Sequence, residues 1–112
     1  MHDFAALTTN AHEDWTLFAV RLHDKPGTGE LRRQLLQAHL AWCAAHADTL
    51  RAAGSLRETP DATPVGGLWV VRAPSKAAVE ALIATDPFTT GGLRAGWDIL
   101  HWSKALPQPV SF

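Results

Sequence analysis

The sequence predicts a single α+β domain whose elements follow the order β-α-β-β-α-β. Three segments rich in β-branched and aromatic residues are typical of strands, at 15–22, 66–72 and 97–102. Two segments with apolar residues at helical spacing, 30–50 and 76–85, alternate with them. The length of 112 residues fits one domain with one ordinary core.

In the first half of the chain, residues 15–22 (WTLFAVRL) are almost continuously apolar. That pattern favours a strand covered on both faces. The proline and glycines of 24–29 then break the chain. We expect the first helix to begin at Glu30, because an acidic side chain complements the positive end of the helix dipole. The apolar spacing carries this helix to about Asp48 or Leu50.

The second half repeats the pattern. A short strand is predicted for 52–58, beginning near Gly54, and a loop with two prolines follows it. After the strand GGLWVVR, Ser75 is a candidate N-cap for the second helix, 76–85. A single turn within 86–93 then leads to the closing strand, WDILHW.

This order is that of the split βαβ, or ferredoxin-like, arrangement, an antiparallel sheet with two helices on one face. The other face of such a sheet is bare, yet the strands carry apolar residues on both faces. Leu17 stands beside Phe18, and Leu68 beside Trp69. A second copy of the chain is the economical cover. We therefore predict a homodimer whose sheets pack face to face.

Composition argues against several classes of partner and location. The net charge is −1 and the arginines are scattered, whereas a nucleic-acid protein normally shows a clustered basic face. No apolar run approaches the ~20 residues that span a bilayer. Residues 1–14 lack the basic start and apolar stretch of a secretory signal. With one cysteine there is no internal disulfide, so a cytoplasmic location is the simplest expectation.

A histidine interrupts the apolar stripe of the first helix. The stripe consists of Leu31, Leu35, Leu36, Leu40, Trp42, Cys43, Ala47 and Leu50. His39 falls near the middle of this arc, and His46 falls on the same side. A buried imidazole without a hydrogen-bond partner costs about 1–3 kcal/mol. Asp86, in the segment Asp-Pro-Phe, is the candidate partner.

Two interpretations of this pair stay open. An imidazole held by a carboxylate can take or give a proton near neutral pH, with Asp86 orienting His39 and stabilising its charged form. Alternatively, the pair is a core contact that fixes the helix to the loop. Asp86 before Pro87 is also a good N-cap for a short helix. Both tasks are compatible, since a carboxylate has two oxygens.

Three aromatic residues are candidates for substrate binding. Trp42 and Trp69 could form a wall against a flat apolar ligand, and Phe88 could line the same pocket. Packing in the core is the alternative for all three. Cys43 lies on the apolar arc, which favours an inert buried thiol over a nucleophile.

The remaining histidines raise the question of a metal site. His46 shares the stripe with His39, and His101 lies on the last strand. However, no His-x-x-x-His spacing is present, so we predict neither a metal nor a cofactor.

The span from Leu17 to Trp102 resembles the YciI-like family. The segments that carry the resemblance are LFAVRL, QAHLAWCAAHADTLRAAGSL, GGLWVV and DPFTTGGLRAGWDILHW. It implies a ferredoxin-like domain over 15–105 that dimerises as an α/β barrel, between an N-terminal arm, 1–14, and a C-terminal tail, 106–112.

The resemblance also places His39 and Asp86 on matching positions of the family. Such proteins usually carry an arginine a few residues before the histidine, and here only Arg32 or Arg33 could take that place. Relatives of similar fold include muconolactone isomerases, a dehydrochlorinase and cofactor-free monooxygenases. The resemblance thus implies a cofactor-independent small-molecule enzyme of isomerase, lyase or dehalogenase type. The alternative is a non-catalytic dimeric module that binds a metabolite or assembles partners.

Overall fold

The structure, a computed structural model, describes residues 15–107. Its elements are β1 (Thr16–Asp24), α1 (Gly29–Ala45), β2 (Leu50–Leu56), β3 (Gly66–Ala73), α2 (Lys76–Thr85), α3 (Pro87–Thr90) and β4 (Arg94–Trp102). The four strands form one antiparallel sheet in the order β2-β3-β1-β4. The predicted ferredoxin-like α+β fold is therefore confirmed. The predicted arm 1–14 and the end of the predicted tail lie outside the described residues.

One face of the sheet packs against the helices and forms the core. In β1, Phe18, Val20 and Leu22 are buried, as the alternation of a strand requires. Their neighbours across the sheet face the same way, so that Val20 stands between Trp69 of β3 and Ile99 of β4. The buried cluster consists of Phe18, Val20, Leu22, Trp42, Leu50, Trp69, Val71, Ala73, Val79, Ile83 and Ile99.

The opposite face of the sheet carries large apolar side chains that are exposed. Leu68 and Leu100 are 45% and 63% exposed there. A surface cavity of about 450 Å³ lies on this face, lined by Ala19, Leu68, Val70, Leu100, His101, Trp102 and Ser103. The apolar second face is thus present as predicted, and its cover by a second copy stays a prediction.

Helix α1 is shorter than predicted. It ends at Ala45, not at Asp48 or Leu50, and His46 caps it. The turn that follows brings Leu50 into register with Val71 of β3, so β2 also begins earlier than predicted. Apolar spacing could not mark this end, because Leu50 belongs to the same core after the turn as it would on the helix.

The other boundaries differ where polar residues begin or end a strand. β1 continues to Asp24, and β4 begins at Arg94 rather than at Trp97.

The helices differ from each other in how well they agree with the prediction. Leu40, assigned to the apolar stripe, is 49% exposed, so the buried arc of α1 is narrower than predicted. The bounds of α2 agree with the prediction, and its Ser75 N-cap accepts a hydrogen bond from the backbone N–H of Ala78 at 3.1 Å. Among the described residues, no helix is long and apolar enough to cross a membrane.

Candidate active site

The predicted contact between His39 and Asp86 is present. His39 lies on α1, and Asp86 lies in the junction between α2 and α3. The Nδ1 of His39 is 2.7 Å from Oδ1 of Asp86. Asp86 is completely buried and His39 is 9% exposed, so the pair is shielded from bulk water.

Local sequence explains why Asp86 stands at this junction. Pro87 suits the first position of α3, because its missing N–H would have no helical partner there. Asp86 is the N-cap, and its Oδ1 accepts a hydrogen bond from the backbone N–H of Phe88 at 3.0 Å. The same oxygen lies 2.7 Å from Nδ1 of His39, so capping and orienting are compatible as expected, and one oxygen performs both tasks. The second oxygen, Oδ2, is left 3.8 Å from Nη2 of Arg94.

The carboxylate determines which nitrogen of His39 is free. A carboxylate oxygen can only accept a hydrogen bond, so a neutral imidazole that donates to Oδ1 has its proton on Nδ1 and its lone pair on Nε2. Cys43, one helical turn further on, has its Sγ 3.4 Å from that Nε2. The expected inert thiol therefore touches the nitrogen that a proton-transfer reaction would use.

The environment of Cys43 keeps it as a thiol. Burial raises the pKa of Cys43, and the negative charge of Asp86 raises it further, while the positive charge of Arg94 lowers it in part. A protonated sulfur can donate weakly to the Nε2 lone pair.

Phe88 packs directly on the histidine. Its ring is stacked on that of His39 with centroids 3.9 Å apart and 11° between the planes. Phe88 is 1% exposed, so it anchors the imidazole from one side. Two guanidinium groups lie over the same ring, with Cζ of Arg32 at 4.8 Å and Cζ of Arg94 at 5.0 Å from its centroid.

Asp24 joins these two arginines. Its Oδ1 lies 2.7 Å from Nη1 of Arg94, and its Oδ2 lies 3.1 Å from Nε of Arg32. Arg32 is therefore the arginine that reaches the His39 region, whereas Arg33 pairs with Glu30 on the surface. Arg94 and Asp24 were not among the predicted site residues, since charged residues at strand ends resemble solvated loop residues until the register of the strands is known.

The two candidate tryptophans lie in the core. Their ring centroids are 5.3 Å apart, and Trp42 donates from Nε1 to Oγ1 of Thr85 at 2.9 Å. The ring of Trp42 is also 6.1 Å from that of His39, while Trp69 is 1% exposed. Their role in ligand binding stays a prediction.

Three surface cavities formed by residues 15–107 have neither His39 nor Asp86 in their walls. One is the cavity on the open sheet face. The second, of about 370 Å³, is lined by Trp15, His46, Thr49, Ala73, Pro74, Ala78, Ala81, Leu82 and Thr85. The third, of about 290 Å³, is lined by Lys76, Glu80, Trp97, Asp98, Ile99 and Leu100. None of these three cavities has Trp42, Trp69 or Phe88 in its walls, so none is the ligand pocket predicted for those residues.

The other histidines have contacts of their own. His46 donates from Nδ1 to the carbonyl oxygen of Trp42 at 2.8 Å. The ring of His101 lies 4.6 Å from that of Phe18. Within 15–107, no group of three or more His, Cys, Asp or Glu side chains is arranged to hold a metal ion.

Comparison with models of known protein families shows which family the chain belongs to. The profile of the YCII-related domain matches residues 16–103, which is most of the chain. The protein belongs to the YCII-related family. No curated protein sequence matches the chain significantly.

Two solved structures are similar to this family member. One is 5-chloro-2-hydroxyhydroquinone dehydrochlorinase from Burkholderia phenoliruptrix, solved in complex with 2,5-dihydroxybenzoquinone. It is 27% identical with a TM-score of 0.70, over 78% of this chain and 93% of that one. The other, from Bacteroides thetaiotaomicron, is provisionally described as an antibiotic biosynthesis monooxygenase. It is 15% identical with a TM-score of 0.56, over 91% of this chain and 100% of that one, and shows the fold alone. The family match and the similarity to the dehydrochlorinase relate this chain to enzymes that act on small molecules.

Proposed function

We propose that this protein is a cofactor-independent enzyme that acts on a small molecule through His39 and Asp86. In this proposal, His39 exchanges a proton with the substrate, and Asp86 orients the imidazole. The observation that carries the proposal is the 2.7 Å contact between Nδ1 of His39 and Oδ1 of Asp86. Such a contact leaves one defined nitrogen, Nε2, to act as base and then as acid.

In this proposal, the proton taken from the substrate is held on Nε2. When the imidazole becomes positive, its Nδ1–H already faces a carboxylate that is completely buried. Attraction between such charges is stronger inside a protein than in water. A carboxylate in this position stabilises the imidazolium without taking the proton itself.

The likeness to a dehydrochlorinase supports a hydroxylated or carbonyl-containing ring as the substrate class. In an elimination, the base removes a proton from the substrate. The electron pair of the broken bond moves into the ring system, and a halide leaves as the anion. In an isomerisation, the same base returns the proton at another carbon. A single imidazole with a free Nε2 suits each of these reactions, so isomerase, lyase and dehalogenase chemistry all remain within the proposal.

We place substrate entry on the side of Cys43. The sulfur of Cys43 lies 3.4 Å from Nε2 of His39, and Cys43 is partly exposed. Phe88 closes another side of the ring by stacking. A substrate that reaches Nε2 must therefore move past the thiol.

The test compares two histidine variants. His39→Gln removes the proposed base, and His46→Gln is the matched control on the same stretch of chain. We would follow chloride release and the absorbance of 5-chloro-2-hydroxyhydroquinone and of chlorinated and unchlorinated phenols and cyclic ketones. Wild type and His46→Gln should turn over one of these, and folded His39→Gln should lose at least about 100-fold in kcat. Full turnover by His39→Gln would contradict the proposal.

The alternative is a dimeric module that binds a metabolite without converting it. The low exposure of His39 and its stacking on Phe88 favour this alternative, because both describe a filled site. Calorimetric binding of the same compounds without turnover, together with loss of folding in His39→Gln, would support the module over the enzyme.

We also propose that the protein is a homodimer formed through the open face of the sheet. The exposed apolar side chains Leu68 and Leu100, on neighbouring parts of that face, support a protein partner. A second copy presents the same face and buries it by symmetry.

A further inference from the structure

Arg94 lies beside Asp86 because of an irregularity in β4. Along β1 and β4, Leu22 pairs with Trp97 and His23 with Gly96, but the next residue of β1, Asp24, pairs with Arg94. Ala95 is therefore an extra residue. Since side chains alternate along a strand, regular pairing would turn Arg94 to the open face of the sheet. The bulge turns it to the core face instead.

On the core face, Arg94 stands between two carboxylates. Its Nη1 is 2.7 Å from Oδ1 of Asp24, and its Nη2 is 3.8 Å from Oδ2 of Asp86. All three side chains are almost fully buried, with exposures of 2% for Arg94, 4% for Asp24 and none for Asp86.

Arg94 brings a positive charge to the second oxygen of Asp86. Burial alone favours a neutral carboxyl group, whereas a nearby positive charge favours the carboxylate. Asp86 Oδ2 has no hydrogen-bond donor among the described residues, so the guanidinium is the positive group that faces it. The other cation over Phe88, Arg32, contacts Asp24 and the carbonyl oxygen of Gly66.

The charge state of Asp86 in turn determines the tautomer of His39. A carboxylate accepts from Nδ1–H and leaves Nε2 free as a base. A neutral carboxyl group donates to Nδ1, which places the proton of the imidazole on Nε2. In that second state the dyad has no free basic nitrogen.

We propose that Arg94, anchored by Asp24, is a positioning residue that keeps Asp86 ionised and so holds His39 in the Nδ1–H tautomer. This inference rests on the proposed acid/base function, because the tautomer of His39 matters for catalysis only if His39 is the base. The position of the proton on His39 can nevertheless be measured without any substrate.

The experiment is ¹⁵N NMR of the histidine side chains in the full chain, with His39 assigned by comparison with His39→Gln. Neutral His39 of the wild type should carry its proton on Nδ1. Arg94→Met should lower the ratio of Nδ1–H to Nε2–H forms by about tenfold or more. Arg94→Lys keeps the charge and should restore most of the ratio. Arg33→Met, which removes an exposed arginine paired with Glu30, is the control and should match wild type.

If Arg94→Met does not fold, Arg94→Gln supplies the second variant. It removes the positive charge but keeps a side chain that can hydrogen-bond to Asp24, so the ratio should still fall. A wild type with the proton on Nε2 would overturn the inference. So would a folded Arg94→Met, or an Arg94→Gln standing in for it, with the wild-type ratio. If no compound is turned over while the tautomer shifts as expected, the proposed function fails and this inference stands.

Discussion

His39 and Asp86 are 47 residues apart in the chain, and one carboxylate oxygen, Oδ1, joins them at 2.7 Å. That oxygen also accepts from the backbone N–H of Phe88 and so caps α3. The position of the carboxylate is thus set by the start of a helix, whose geometry is more rigid than that of a loop. The imidazole is held from two directions, by the hydrogen bond and by the stacked ring of Phe88.

Substitution of Asp86 should separate its two tasks. Asp86→Asn keeps an oxygen that can cap α3, whereas Asp86→Ala loses the cap as well as the dyad. We expect Asp86→Ala to be less stable than Asp86→Asn by about 1 kcal/mol in chemical denaturation. Both variants should lose turnover. Equal stability of the two would show that the cap contributes nothing.

The thiol of Cys43 should make stability depend on alkaline pH. Burial beside Asp86 raises the pKa of Cys43 in the folded protein. The stability that this shift contributes is complete below the unfolded value, about pH 8.5, and is lost as the pH rises through the folded value. The sequence has no tyrosine, so few other groups titrate from pH 8.5 to 10.

The measurement is Tm against pH from 7 to 10 for wild type and Cys43→Ala. The wild-type Tm should fall more steeply above about pH 8.5 than that of the variant. Parallel curves would contradict a raised pKa for Cys43.

Gly66 should tolerate no side chain. A Cβ at this position would overlap the carbonyl oxygen of Leu22 on the adjacent strand, and backbone cannot easily yield. Gly66→Ala should therefore cost about 3 kcal/mol of unfolding free energy. It should also disturb Arg32, which donates to the carbonyl oxygen of Gly66 at 3.2 Å.

The control for this prediction is Gly54→Ala. A Cβ at Gly54 meets no atom within 4 Å, so stability should change by less than about 1 kcal/mol. Urea denaturation of both variants makes the comparison, and similar costs would mean that crowding at Gly66 is relieved by strand movement.

The open sheet face should determine the oligomeric state. Wild type should sediment as a dimer, and Leu100→Asp should sediment as a monomer, because a charge would be buried at the centre of an apolar interface. Leu40→Asp is the matched control, since Leu40 is also exposed but lies on α1. A monomeric wild type, or equal effects of the two substitutions, would contradict dimerisation through this face.

The features predicted correctly from the sequence are those that depend on residues close together in the chain. The bounds of α2, the Ser75 cap and the Asp86-Pro87 start of α3 follow from periodicity and capping, and each is confirmed. The end of α1 was predicted too late, because Leu50 satisfies the apolar period on either side of the turn. Leu40 was assigned to the buried stripe because it is apolar and lies within the predicted helix, although it is exposed to solvent.

The amino-acid sequence by itself determined the order of the elements, the apolar nature of both sheet faces and the imidazole that needs a carboxylate. These features follow from the spacing of apolar side chains and from helix capping, both of which involve residues that are close together in the sequence. Only the tertiary structure decided that Arg94 and Asp24 support the dyad and that Cys43 reaches Nε2 of His39. The support by Arg94 depends on one extra residue in β4, which reverses the face of an arginine and has no signature until two strands are paired.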